Sequence, residues 1–385
     1  MACAIAAIET AFYAALAPLL PTFRDQLGLS KAQVGLLAAM YAIGLCFAAI
    51  PVGLFTSTFG VKTAALAGLL GLAGTSIAFG FVPLYWELLL TRAVQGAAGA
   101  LCWTAGIAWL IEMTPQTRRS EMIGLFSGAS AAGAVLGPAL GGAAALIGRA
   151  EAFAGVAGFA SLVALAAARI PHGSPSVWQP LAEIRRAHAS LEMWGGQWLV
   201  GLPGLLLSTV GVLAPLRLHR LGVGSVGIAV TYLIAASLGI VTRPAVGRWA
   251  DRSGRTAAIR LLLAACIAVT VVVPAIGERW VAAACVVLAV WTYGQLWGPT
   301  MASMSQEYER AGVAQAVGFS VMNLTVGVAI LTGSLVAGEI AQVAGDPTAY
   351  AMAIAACLTT IVAISMRRRG SRQVEFGSRT NSGCS

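Results

Sequence analysis

Gly247-Arg248-Trp249-Ala250-Asp251-Arg252-Ser253-Gly254-Arg255-Thr256 is the stretch on which the reading of this chain turns. It has a counterpart in Gly53-Leu54-Phe55-Thr56-Ser57-Thr58-Phe59-Gly60-Val61-Lys62. Both glycine pairs are 194 residues apart, in a chain of 385. A repeat at that distance divides the chain into two halves of like construction. The only long polar segment inside the chain, residues 171–192 with Pro171, Pro175, Pro180, Glu183, Arg185 and Arg186, falls between the halves. It reads as a cytoplasmic linker.

Outward from the repeat, the chain is 58% hydrophobic and 10% charged. Soluble domains carry about 25% charged residues. The charges cluster between apolar runs of about 20 residues, the length that crosses a bilayer as a helix. Twelve spans are expected, near 3–22, 32–55, 63–82, 86–111, 121–146, 152–170, 193–216, 225–247, 257–276, 280–304, 313–339 and 348–366. The fold class is therefore an all-α integral membrane protein, with twelve transmembrane helices in two pseudo-symmetric six-helix bundles. The bundles are residues 1–170 and 193–366, followed by a basic cytoplasmic tail, 367–385.

With both termini cytoplasmic, seventeen Lys and Arg residues fall on the inner side, Arg243 among them, and six on the outer. That bias sets the orientation. It also accounts for the net charge of +9 without nucleic acid, and the tail is expected to lie on anionic lipid. The first helix begins almost at Met1, with no Lys or Arg before Arg24, so it lacks the basic start of a signal peptide. The native start is expected upstream. The chain is expected to act as a monomer in the plasma membrane.

No metal-ligand spacing, phosphate loop or nucleophile elbow is visible, so neither an enzyme nor a cofactor or metal is expected. Cys46, Cys102, Cys266, Cys285 and Cys357 fall inside spans and read as small apolar packing residues. Two charges stand inside the hydrocarbon. Arg92 opens the run Arg92-Ala93-Val94-Gln95-Gly96, and Glu9 lies about 12 Å into the first helix at 1.5 Å per residue. Charges at such depth face a protein interior or a wet cavity and serve a purpose there. Gly133, Gly137, Gly141 and Gly142 around Pro138 suggest a bend in the fifth helix and a close packing seam. That seam is expected against a helix of the other half. Helices 3, 6, 9 and 12 are nearly featureless. Tyr13, Trp103, Gln197, Trp291, Tyr293, Gln295 and Asn323 are the candidates for a cavity wall.

At these residues the chain resembles the major facilitator superfamily of secondary transporters over essentially its whole length. Gly247–Arg255 matches the family loop pattern G-x-x-x-D-R-x-G-R in full, while Gly53–Lys62 keeps both glycines but has Ser57 where the family has aspartate. Arg92 to Gly96 matches the fourth-helix pattern R-x-x-Q-G, tied in the family to proton coupling. Gly133 to Gly142 matches the fifth-helix pattern G-x-x-x-G-P-x-x-G-G, typical of proton-coupled exporters. The resemblance implies a drug/proton antiporter type that exports a small organic compound, with Arg92 and Gln95 in proton coupling. Glu9, as a carboxylate inside the hydrocarbon, is the candidate group that binds the proton. It implies gating by Gly53, Gly60, Gly247, Asp251, Arg252, Gly254 and Arg255. Asp251 is expected to latch the cytoplasmic side near Ser120 and Glu121, on the second half alone. The alternatives are a proton symporter or uniporter for a metabolite, and a non-transporting sensor or scaffold of the same fold.

Overall fold

The computed structural model describes residues 1–115, 119–169, 190–313 and 315–381. Its twelve long apolar helices are α1 (Ala2–Leu27), α2 (Lys31–Phe59), α3 (Val61–Phe81), α4 (Tyr85–Glu112), α5 (Arg119–Ile147) and α6 (Arg149–Ala168), then α7 (Leu191–Arg220), α8 (Ser225–Ser253), α9 (Arg255–Val272), α10 (Arg279–Arg310), α11 (Gln315–Val343) and α12 (Asp346–Asn381). Two are interrupted. In α1 a tight 3-10 turn at Ala17–Leu19 holds Pro18, with Pro21 just beyond, where each proline removes a backbone donor. In α10 the break falls at Leu296. Most of the expected linker, 170–189, lies outside the described residues, as do the side chains of the tail.

The two motif stretches expected as loops are helical almost throughout, which corrects the sequence reading. α2 continues to Phe59 and α8 to Ser253. Gly53 and Gly247 thus sit inside helices, and the turn is one residue long in each half. Gly60 has φ +83° and Gly254 φ +88°, a backbone region that costs glycine little and other residues more. The α5–α6 junction is likewise a single residue, Gly148. At the same end as Gly148, Ser30 starts α2 with a reciprocal capping box to Gln33.

The halves repeat one packing scheme. α1 packs on α5, α2 on α4 and α3 on α6; in the second half α7 packs on α11, α8 on α10 and α9 on α12. The halves meet through two equivalent pairs, α2 with α11 and α5 with α8. α3 and α9 pack within their own halves, and α6 turns Phe159, Leu162 and Leu165 outward.

The glycine seam of α5 is a second correction. A Cβ on Gly133 would lie 2.2 Å from the Ala7 carbonyl oxygen, and one on Gly137 2.4 Å from the Ala14 Cβ. One on Gly141 would lie 2.5 Å from the Ala15 carbonyl oxygen. All three therefore face α1 of the same half, because α1 and α5 cross closely enough to exclude any side chain between them. Gly142, next along, faces Ala229 on α8 at 2.9 Å. α5 itself runs as one helix through Pro138.

Polar contacts between the halves cluster at the end where Gly28 and Gly222 turn. Lys31 Nζ donates to Asp346 Oδ1 at 2.5 Å and to the Ala341 carbonyl at 3.2 Å. The Lys31 amide donates to Gln342 Oε1 at 3.0 Å. From within the second half, Arg220 holds the other carboxylate oxygen of Asp346. His219 meets Asp25 at 2.7 Å, and Thr22 meets Ser225 at 3.1 Å.

Candidate functional site

Between the halves lies a cavity with about 980 Å³ of atom-free space, counting the part open to solvent. The first half contributes Tyr13, Arg92 and Pro138, and the second Ser208, Tyr232, Arg243, Trp291 and Ser334, with apolar residues between them. Of the aromatic and polar wall candidates, Tyr13 and Trp291 line it. Trp291 Nε1 donates to Thr242 Oγ1 at 2.9 Å, which fixes its indole in the wall.

The other five are placed elsewhere, four of them held by contacts of their own. Trp103 packs edge-on against Phe126, with ring centroids 5.1 Å apart. Gln197 is buried, bonded to Tyr308 and accepting from Thr325 Oγ1 at 2.8 Å. Tyr293 is buried against Thr270 at 2.6 Å. Gln295 is buried and donates to Thr242 at 3.1 Å, and Asn323 is half-buried outside the cavity lining. Polar residues of a transmembrane helix find partners inside their own bundle as readily as they face a substrate, and spacing alone does not separate the two.

Behind Tyr13 a buried polar chain crosses the first half. Glu9 on α1 is 7% exposed. Its Oε1 accepts from Tyr41 Oη on α2 at 2.5 Å, and its Oε2 from Thr10 Oγ1 at 3.1 Å. Thr10 also meets Ser130 of α5 at 2.8 Å. The Arg92 guanidinium stands 4.9 Å from the centre of the Tyr41 ring, and its Nη1 donates to Gln95 Oε1 at 2.9 Å. Glu9 and Arg92 are thus linked through Tyr41 rather than paired. α4 makes room with glycines: a Cβ on Gly99 would lie 2.2 Å from Tyr41 Oη, and one on Gly96 1.9 Å from the Tyr41 carbonyl oxygen.

Two residues here escaped the sequence reading. Tyr41 carries no signal that separates it from a packing aromatic. Arg243, assigned to the inner surface, instead lines the cavity. At the Gly60/Gly254 end, Asp251 is exposed and accepts from Arg255 Nε at 3.0 Å across the Gly254 turn, from the last turn of α8 to the first residue of α9. Arg255 Nη1 also reaches the Ala302 carbonyl at 3.4 Å, and Arg252 is exposed. The side chains of Ser120 and Glu121, the expected partners of Asp251, lie outside the described residues.

Twelve spanning helices in two matched bundles, a cavity between them and buried charges beside it define a membrane carrier. The chain belongs to the Major Facilitator Superfamily, whose family model matches residues 2–325. This is a family of transporters, not enzymes. Among curated relatives, Multidrug resistance protein 1 of Bacillus subtilis is 28% identical over 148 residues, 38% of each chain. The class H tetracycline resistance protein of Pasteurella multocida is 30% identical over 131 residues, 32% of each chain. The matched segments thus span about a third of the length of these relatives. Two solved structures share the fold. The nucleoside transporter NupG aligns with TM-score 0.74 at 13% identity, over 95% of this chain and 98% of that one. A bacterial homologue of the human lysosomal transporter Spinster, inward-facing and unoccupied, aligns with TM-score 0.70 at 16% identity, over 95% and 94%.

Proposed function

We propose that the chain is a secondary exporter that carries a small organic compound through the central cavity by alternating access, in exchange for protons. In this reading it is a monomer in the plasma membrane with both termini cytoplasmic. The Lys and Arg bias supports that orientation: with Arg243 moved to the cavity, sixteen residues remain inside against six outside. The joined Gly28/Gly222 end then faces outward. The resistance proteins among the relatives support export.

The observation that carries the coupling is the chain Glu9–Tyr41–Arg92. An ionised Glu9 accepts from Tyr41 and Thr10. A protonated Glu9 gains one O–H donor, so in this reading the bond at the protonated oxygen reverses. Reversal at Tyr41 moves the phenol whose ring lies against Arg92, and Arg92 faces the cavity. Proton binding on α1 is thereby read at the cavity wall by α2 and α4.

Purified protein in proteoliposomes holding a pH-sensitive dye tests this. Exported compounds should dissipate an imposed proton gradient. Glu9→Gln keeps the size of the side chain but cannot change charge. It should lower gradient-driven flux to the level of empty liposomes while leaving exchange of labelled for unlabelled compound intact. Wild-type coupled flux in that variant would end the proton-exchange reading.

In the same scheme Asp251 holds the halves when the Gly60/Gly254 end closes. An anion at a helix start gains about 0.3–1 kcal/mol when exposed and up to about 2 when partly buried. Asp251→Asn should therefore shift spin-label distances between that end of α8 and the matching end of α4 toward the separated state. Unchanged distances together with an unchanged transport rate would remove Asp251 from the latch.

A further inference from the structure

We propose that the cavity is an anion clamp: Arg92 of α4 and Arg243 of α8 together hold the acid group of an amphipathic organic anion. The proposal rests on the reading of the cavity as the substrate site and adds the chemical class of the substrate.

The case is one of unspent donors. Arg92 is 2% exposed, and its Nε and Nη2 are buried without a partner among the described residues. Its one hydrogen bond goes to the neutral amide of Gln95, and its other neighbours are the rings of Tyr41 and Phe79. Arg243 Nε is buried without a partner as well. Among the described residues neither guanidinium meets a carboxylate within ion-pair distance, and no Asp or Glu lines the cavity.

A buried guanidinium with open N–H groups is unfavourable until an acceptor arrives, and an ionised acceptor answers it best. Its planar fork matches a carboxylate or phosphate with two parallel bonds. The same charges repel cationic compounds. The rest of the wall, including Leu16, Leu207, Val212 and Trp291, suits an apolar body.

The two arginines come from opposite halves and line one cavity, so an acid group held by both would join α4 to α8. Ligand binding then favours closure of the halves around the cavity, the differential interaction that alternating access requires. Arg243 lines the cavity beside Gly294 of α10, where a Cβ would lie 3.3 Å from its Nη2, so the glycine leaves room for the guanidinium on that side.

The test uses the full chain in lipid nanodiscs at fixed pH with no gradient. Four probes share one ring system: naphthoate, naphthyl phosphate, neutral naphthamide and naphthylmethylammonium. Binding is read by calorimetry and by thermal shift, since a ligand that binds the folded state raises its melting temperature. The two anions should bind, and the amide and the ammonium should bind at least about tenfold more weakly, the ratio expected when a charge-assisted bond is lost. Arg92→Gln and Arg243→Gln should each weaken anion binding by about tenfold or more and leave the amide unchanged.

Arg243→Lys keeps the charge without the fork, so it should retain the preference for anions at reduced affinity. It also serves if Arg243→Gln does not fold. Equal binding of the amide or the ammonium, failure of both anions to bind, or wild-type anion affinity in Arg243→Gln overturns the clamp. Anion binding without gradient-driven flux would keep the clamp and end the proton-exchange reading. Coupled flux of neutral or cationic compounds only, without anion binding, would do the reverse.

Discussion

Alanine at Gly96 is expected to unfold the crossing of α2 and α4 and to abolish transport with it. The added Cβ would lie 1.9 Å from the Tyr41 carbonyl oxygen and 2.9 Å from the Leu45 amide nitrogen. Both are fixed backbone atoms, so no rotamer change relieves the clash. From the other side, a Cβ on Gly44 would lie 1.8 Å from the Ala93 carbonyl oxygen, so the two helices touch backbone to backbone at this point. Overpacking a dense interior costs about 1–3 kcal/mol, and more where the backbone must separate. A loss of about 3 kcal/mol or more is therefore expected for Gly96→Ala. The helix that must retreat carries Tyr41, which bonds Glu9 and stacks on Arg92. A matched control is Gly74→Ala on α3, where an added Cβ meets nothing within 4 Å. That change should be neutral, or stabilising by up to about 1 kcal/mol, because alanine favours the helix. Thermal unfolding in detergent and flux in proteoliposomes compare the two variants. A fully stable, active Gly96→Ala protein would show that the helices cross less closely.

Asp346→Asn is expected to open the Gly28/Gly222 end. Asp346 is 6% exposed and lies between Lys31, 16% exposed, and Arg220, 46% exposed. Lys31 belongs to the first half and the other two to the second, so this carboxylate ties the halves together. Removing one partner of a buried ion pair leaves the other charge uncompensated, at about 3–5 kcal/mol. The partial exposure of Arg220 reduces that to about 2–3 kcal/mol. A difference of 2.7 kcal/mol is about a hundredfold in population. Spin labels at Gln26 and Thr348, both exposed, should report a longer mean distance in the variant. Unchanged distances would mean that the helix contacts alone, such as Gly35 against Gly338, hold this end shut.

The spans and the two halves were legible because hydrocarbon admits few alternatives. About 20 apolar residues in a row fix a helix, and the spacing of Gly53, Gly60, Gly247 and Gly254 fixes the repeat. The cavity was less legible. Arg243 stands among Arg248, Arg252 and Arg255, and a span ending near 247 puts it at the surface. The helix in fact runs to Ser253, which buries Arg243 about 15 Å from its end. The α5 glycines announced a seam but not the helix on its other side, since small residues mark close approach without naming a partner. For Tyr41, Gly44 and Gly96 the meaning lies in the pairing of α2 with α4, which a single sequence does not print.

The one-residue junctions at Gly60, Gly148 and Gly254 bear on the surrounding lipid. α8 and α9 are joined by a single residue, as are α2 and α3, so an outer helix has no slack with which to stay behind when its inner neighbour tilts. In the proposed alternating-access cycle α3 and α9, which among the described residues pack chiefly within their own halves, are expected to move sideways through acyl chains with α2 and α8. On that scheme turnover is expected to slow in ordered, sterol- or saturated-lipid bilayers while binding is unchanged; equal flux in proteoliposomes of saturated and unsaturated lipid would remove the coupling.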